Sequence, residues 1–247
     1  MVSQTEALSL PWPRIRTEGG IYAAACPLPG SSPSSLLCRL LAKASAGTSA
    51  AGLALFSPDI IMDLINTATM VARYAKPPEP YAEATISVLG AEALDRASLS
   101  FTPPGTIVKN MNKCCQIAAR IFRTILAIAN TVTLVQTMPP PILTARTTKT
   151  TPGRTGSLFL YDDIELLKAT LSKIDFGSWL QHAPEAYVWI CFTAAAASVF
   201  DESDWTSFIL TPMPVLTALD SDELPVLKDS WAYLSWLRDI SRGVVHF

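Results

Sequence analysis

Residues 107–135 read IVKNMNKCCQIAARIFRTILAIANTVTLV. Met111, Cys114, Cys115, Ala118, Ile121, Phe122, Ile125, Ile128, Ala129, Val132 and Val135 recur every three or four positions. Lys109, Lys113, Gln116, Arg120, Arg123 and Asn130 occupy the opposite face. That period predicts one amphipathic helix of about 28 residues, about 40 Å long, with one side in a core. Its neighbours must therefore be elements able to cover a helical stripe.

Working outward, the neighbours also read as helices. Residues 185–200 are apolar nearly all round, so this segment belongs at the centre of the fold. Pro184 and Glu185 open it, through a fixed φ and an acid placed at the positive end of the helix dipole. Upstream, Ser34 or Ser35 can cap a short helix carrying Leu36, Leu37, Leu40 and Leu41. Ser57 is placed to cap a helix with Pro58 in its first turn and Ile61, Leu64, Ile65, Ala68 and Ala72 on one face; Pro77 and Pro78 stop it. Residues 81–99 read as a helix weakened at Gly90.

Downstream, 161–173 carries Ile164, Leu167 and Leu171 and is expected to end at 175–177. A helix over 204–219 must break at Pro212 and Pro214, and the last runs from about Pro225 to Gly243 through Trp231, Leu234, Leu237 and Ile240. Only 131–135 and 156–161 compete as strands. The expected fold is all-α, a multi-helix bundle around a central apolar helix. Residues 1–34 are expected to be irregular, and 35–247 to form one helical domain with a Pro/Thr-rich loop near 138–156.

Composition sets limits on function. The 247 residues are 49% hydrophobic and 16% charged, which excludes wholesale disorder. The longest strongly apolar stretch, 186–200, falls short of the ~20 residues a bilayer span needs. No secretory leader and no Asn-x-Ser/Thr sequon is present, so an intracellular, reducing location is expected. The net charge of −2 conceals three blocks: −1 over 1–101, +7 over 102–161 and −8 over 162–247. A basic block can signal nucleic acid, but seven charges over sixty residues is a thin footprint. The basic and acidic blocks are expected to meet within the fold.

Catalytic and metal motifs are scarce. There is no Gly-x-Ser-x-Gly elbow, no Gly-x-Gly-x-x-Gly and no phosphate-binding Gly-rich loop. His182 and His246, the two histidines, have no ligand at metal spacing, and Cys26, Cys38, Cys114, Cys115 and Cys191 form no zinc set. The cysteines read as small buried hydrophobes, and His182 as a helix-boundary residue. Asp162 and Asp163, with Glu165 following, invite an all-α enzyme acting on prenyl diphosphates. The pair reads better as helix-N-terminal acids favoured by the dipole. No enzyme activity, cofactor or metal is expected, and the residues give no ligand-binding set.

Two segments resemble a known family. Residues 112–130, NKCCQIAARIFRTILAIAN, and 176–198, FGSWLQHAPEAYVWICFTAAAAS, are similar to patterns in the helical regulatory region of fungal zinc-cluster transcription factors. Trp179, Pro184, Glu185, Ala186, Val188, Trp189 and the Ala194–Ala197 run carry the second match, and Trp205, Leu227 and Trp231 follow in similar order. The six-cysteine zinc cluster that reads DNA in that family has no counterpart here, nor has its dimerising heptad segment. The resemblance thus implies a regulatory region without its reader head: a truncated product, a headless paralogue or a fragment. It implies nuclear residence, protein partners among the transcription machinery or related factors, no direct DNA binding, and action through contacts or a small-molecule effector between helices. The alternatives are the prenyl-type enzyme and a purely structural interaction domain.

Overall fold

A computed structural model describes residues 32–46, 56–100, 105–137, 153–198, 201–218 and 224–242. The expected irregular segment up to Ser31 and the loop over 138–152 lie outside those residues. The described chain is helical: α1 Ser35–Ala46, α2 Pro58–Tyr74, α3 Pro80–Ser100, α4 Thr106–Thr137, α5 Gly153–Leu171, α6 Phe176–His182, α7 Pro184–Ala197, α8 Glu202–Leu210, α9 Met213–Ala218 and α10 Leu224–Ser241. No strand occurs among the described residues, and both strand candidates lie within helices, 131–135 in α4 and 156–161 in α5. The all-α bundle is the fold.

Helix α7 lies at the centre, packed against α1, α4, α5, α6, α8, α9 and α10. Its residues from Glu185 to Ala196 are all buried, which explains why its sequence has no polar face. Ala194, Ala195 and Ala196 have no exposed surface, so neighbouring helices approach the α7 backbone closely. Helix α4 turns Met111, Cys114, Cys115, Ala118, Ile121, Phe122, Ile125 and Ala129 inward and keeps its Lys, Arg and Gln face outside. Trp179, Trp189 and Trp236 are buried and supply large apolar area, whereas Trp205 and Trp231 are half-buried at the rim, Trp205 beneath the Arg238 guanidinium.

Several boundaries differ from expectation. Ser57 precedes α2, but its side chain makes no capping bond; its carbonyl accepts from the Ile61 amide instead. Residues 175–177 open a helix rather than end one: Asp175 accepts the Ser178 amide at 2.8 Å and caps α6. The same short polar residue that stops one helix is a good first cap for the next, so the local signal is ambiguous. Helix α5 begins at Gly153, so residues 153–156 of the expected loop are helical. Pro212 separates α8 from α9 and Pro214 lies in the first turn of α9, consistent with the expected break.

Helices α2 and α3 are antiparallel neighbours, and Gly90 marks their close approach. A Cβ built at Gly90 would lie 2.6 Å from Ile65 Cγ1 and 2.7 Å from its Cδ1. A β-branched side chain on a helix has little χ1 freedom with which to withdraw. Gly90→Ala gains about 1 kcal/mol of helix propensity but incurs overpacking of about 1–3 kcal/mol. We expect a net loss of up to about 2 kcal/mol in urea unfolding, turning into a gain when Ile65→Ala removes the obstacle. Stabilisation by Gly90→Ala in the otherwise unchanged chain would contradict the close contact.

Candidate functional site

Polar side chains inside a bundle this apolar are the places where chemistry or specificity resides. One group gathers at the start of α1. Glu79, in the link between α2 and α3, accepts hydrogen bonds from the hydroxyls of Ser32, at 2.6 Å, and Ser34. Ser34, at the N-cap position, therefore gives its side chain to a distant carboxylate rather than to its own helix. Asp229 of α10 accepts from the Ser32 amide and from Arg39 Nε at 3.3 Å. Cys38 lies beside the cluster, half-buried, and burial holds its thiol above the ordinary range. That thiol is a poor nucleophile, since the thiolate is the reactive form. The group ties α1, α10 and the α2–α3 link together.

Burial also holds the Asp229 carboxyl above its ordinary value of 3.8, with Arg39 opposing the shift. A raised carboxyl pKa means the folded chain binds the proton more readily than the unfolded chain. The stability this gives is complete below the unfolded value and is lost as pH rises through the folded one. Relative to Asp229→Asn, the wild type should therefore gain stability as pH falls from neutral towards 4. A pH-independent difference between the two in chemical denaturation would refute this.

The second group is internal to α7. Glu185 is 2% exposed; one carboxylate oxygen meets Lys43 of α1, and Oε2 has no hydrogen-bond partner among the described residues. One turn on, Trp189 Nε1 donates to Tyr233 Oη of α10 at 3.2 Å, and Thr193 Oγ1 lies 2.9 Å from the same oxygen and donates to the Trp189 carbonyl at 2.8 Å. All three side chains are fully buried, and burial raises the Tyr233 phenol pKa.

Among the described residues, those singled out in the sequence are not brought together as a reaction centre; Cys26 and His246 lie outside them. Asp162 and Asp163 lie in the interior of α5, not at its start, because the helix begins nine residues earlier at Gly153. Asp162 is exposed, while Asp163 accepts Arg120 Nε of α4 at 2.8 Å, so a helix-packing ion pair replaces the dipole account. His182 ends α6 and is exposed. Cys114, Cys115 and Cys191 are buried free thiols, with burial pushing Cys114 up to about 12. Among the described residues no group of three or more His, Cys, Asp or Glu is placed to hold a metal ion.

Among the described residues, the basic and acidic blocks meet at one ion pair. Arg120–Asp163 joins the basic block to the acidic one, but Arg123 turns to Asp63 of α2 at 2.5 Å. The acidic block takes its other cations from α1, through Arg39 and Lys43, and from within, through Lys168–Asp204 at 2.6 Å. Helix α4 lies between α2 and α5, so its basic face is divided between two neighbours.

Among the described residues, the outside of α3 carries the two most exposed large apolar side chains, Tyr81 and Leu99. This helix packs on α1 and α2, with Ile86, Ala93 and Ala97 inward. Tyr81, Val88 and Leu99 stand 89%, 60% and 84% exposed. With exposed Ala84, Ala91, Asp95 and Ser98 they form a stripe at alternating three- and four-residue steps. The stripe is apolar through Tyr81, Ala84, Val88 and Ala91 and closes on Leu99, and grouped apolar exposure of this kind marks an interaction surface. No helix of the described residues is long and apolar enough to cross a membrane. No family model, curated protein or solved structure matches the chain.

Proposed function

We propose that the chain is a non-enzymatic helical regulatory module that works through protein contacts. In this proposal the contacts are with nuclear transcription machinery or a related factor, a reading supported by the resemblance of residues 112–130 and 176–198 to zinc-cluster regulatory regions. The observation that carries the protein-contact reading is the outer stripe of α3, with Tyr81 and Leu99 both more than four-fifths exposed. The buried polar groups support the same reading. They join helix to helix, through Glu79, Asp229, Glu185 and Tyr233, and thereby hold the surface in one shape.

The test joins the chain to a sequence-specific DNA-binding module upstream of a reporter gene. We expect the chain to change reporter output at least several-fold, and Val88→Arg with Leu99→Arg to return it to the level of the DNA-binding module alone. Helical content and melting should be unchanged in that variant, since both side chains already face water. Output identical with and without the chain would sink the proposal. Sequence-specific DNA binding by the purified chain would equally contradict it.

A further inference from the structure

We infer that the outer face of α3 docks an amphipathic helix whose apolar seam is flanked by Lys or Arg. This rests on the protein-contact reading and names the partner's chemistry. Residues 81, 84, 88, 91, 95 and 98 repeat with the three-four period along which two helices pack. The 21 residues of α3 extend about 30 Å, enough to accept a partner helix of similar length. Ala84 and Ala91 let a partner backbone come close, while Tyr81 and Leu99 supply large apolar anchors at either end of the seam.

Charge decides what kind of helix fits. Glu92 and Asp95 are exposed on or beside the stripe, and no Lys or Arg of the described residues bridges either of them. Glu83, by contrast, is taken by Arg73 of α2 at 3.2 Å. Arg96, next to Asp95, is half-buried and off the stripe. The C-terminal half of the seam thus presents two negative charges that no Lys or Arg of the described residues bridges, and electrostatic complementarity calls for a basic flank. A second copy of this chain is a poorer occupant. Antiparallel pairing of two α3 helices centred near Gly90 would set Glu92 opposite Val88 and about one turn from its own counterpart, bringing like charges near each other across the seam.

Two synthetic helical peptides with one Ala/Leu seam, one flanked by Lys and the other by Glu, test this against the full chain by fluorescence anisotropy. We expect the Lys-flanked peptide to bind at least tenfold tighter at low salt, with the preference collapsing near 1 M salt where screening is strong. Val88→Arg should abolish binding, and the double variant Glu92→Lys/Asp95→Lys should reverse the preference. Equal binding of the two peptides, or a preference untouched by the double variant, overturns the basic partner. In that event a reporter response that still depends on Val88 leaves the protein-contact reading standing. A Val88-sensitive dimer in analytical sedimentation would identify the occupant as a second copy and likewise overturn the inference.

Discussion

Replacing Lys43 by Ala should cost about 3 kcal/mol, the lower end of the 3–5 kcal/mol typical when one partner of a buried ion pair is removed. Glu185 is 2% exposed and anchored in the first turn of the central helix, so it cannot turn its carboxylate to solvent without moving α7. Its Oε2 already lacks a partner among the described residues, and losing Lys43 would leave the other oxygen without its counter-charge as well. The Lys43 side chain is 46% exposed, which is why the lower figure applies. A 3 kcal/mol loss should lower Tm by about 6–12 °C in a chain of this size. The double replacement Lys43→Met/Glu185→Leu should recover most of it, because apolar packing can substitute for a buried pair. A loss below about 1 kcal/mol for Lys43→Ala would place the pair with ordinary surface bridges.

Glu185 also shows what was legible in the sequence and what was not. Its place after Pro184, at the start of an apolar run, identified a central helix, and α7 does begin at Pro184. Periodicity found α4 for the same reason: burial of one face repeats along the chain. The partners, however, come from far away. Lys43 is on α1, Asp163 meets Arg120 from α4, and Ser34 gives its hydroxyl to Glu79 of the α2–α3 link. No local pattern encodes such pairings, and so the helix-N-terminal account of Asp162 and Asp163 failed. Gly90 was visible as a weak point in a helix, but its reason, Ile65, lies on another helix. The outer stripe of α3 was hidden because that helix carries apolar residues on several sides. Only its edge position, against α1 and α2, shows which side faces outward.

The other large effect concerns the buried triad. Its hydrogens can be placed in only one order that satisfies every donor: Trp189 Nε1–H to Tyr233 Oη, Tyr233 O–H to Thr193 Oγ1, and Thr193 O–H to the Trp189 carbonyl. The ring is closed, with each group donating once, and it bridges α7 to α10 in the most apolar part of the fold. Trp189→Ala should cost about 3–5 kcal/mol, the range for removing a large aromatic from a core and leaving a cavity. Tyr233→Phe keeps the ring volume and should cost about 1–3 kcal/mol, because it leaves the Trp189 indole N–H and the Thr193 hydroxyl oxygen short of a partner. The two losses arise partly from the same bond, so a double-mutant cycle decides between a coupled ring and independent packing. Trp189→Phe with Tyr233→Phe should be less destabilising than the sum of the single changes by at least about 0.5 kcal/mol, the lower edge for residues in one network. Strict additivity would mean that the indole and the phenol are neighbours by packing alone. The α7–α10 junction would then owe its geometry to shape and not to the bond between them.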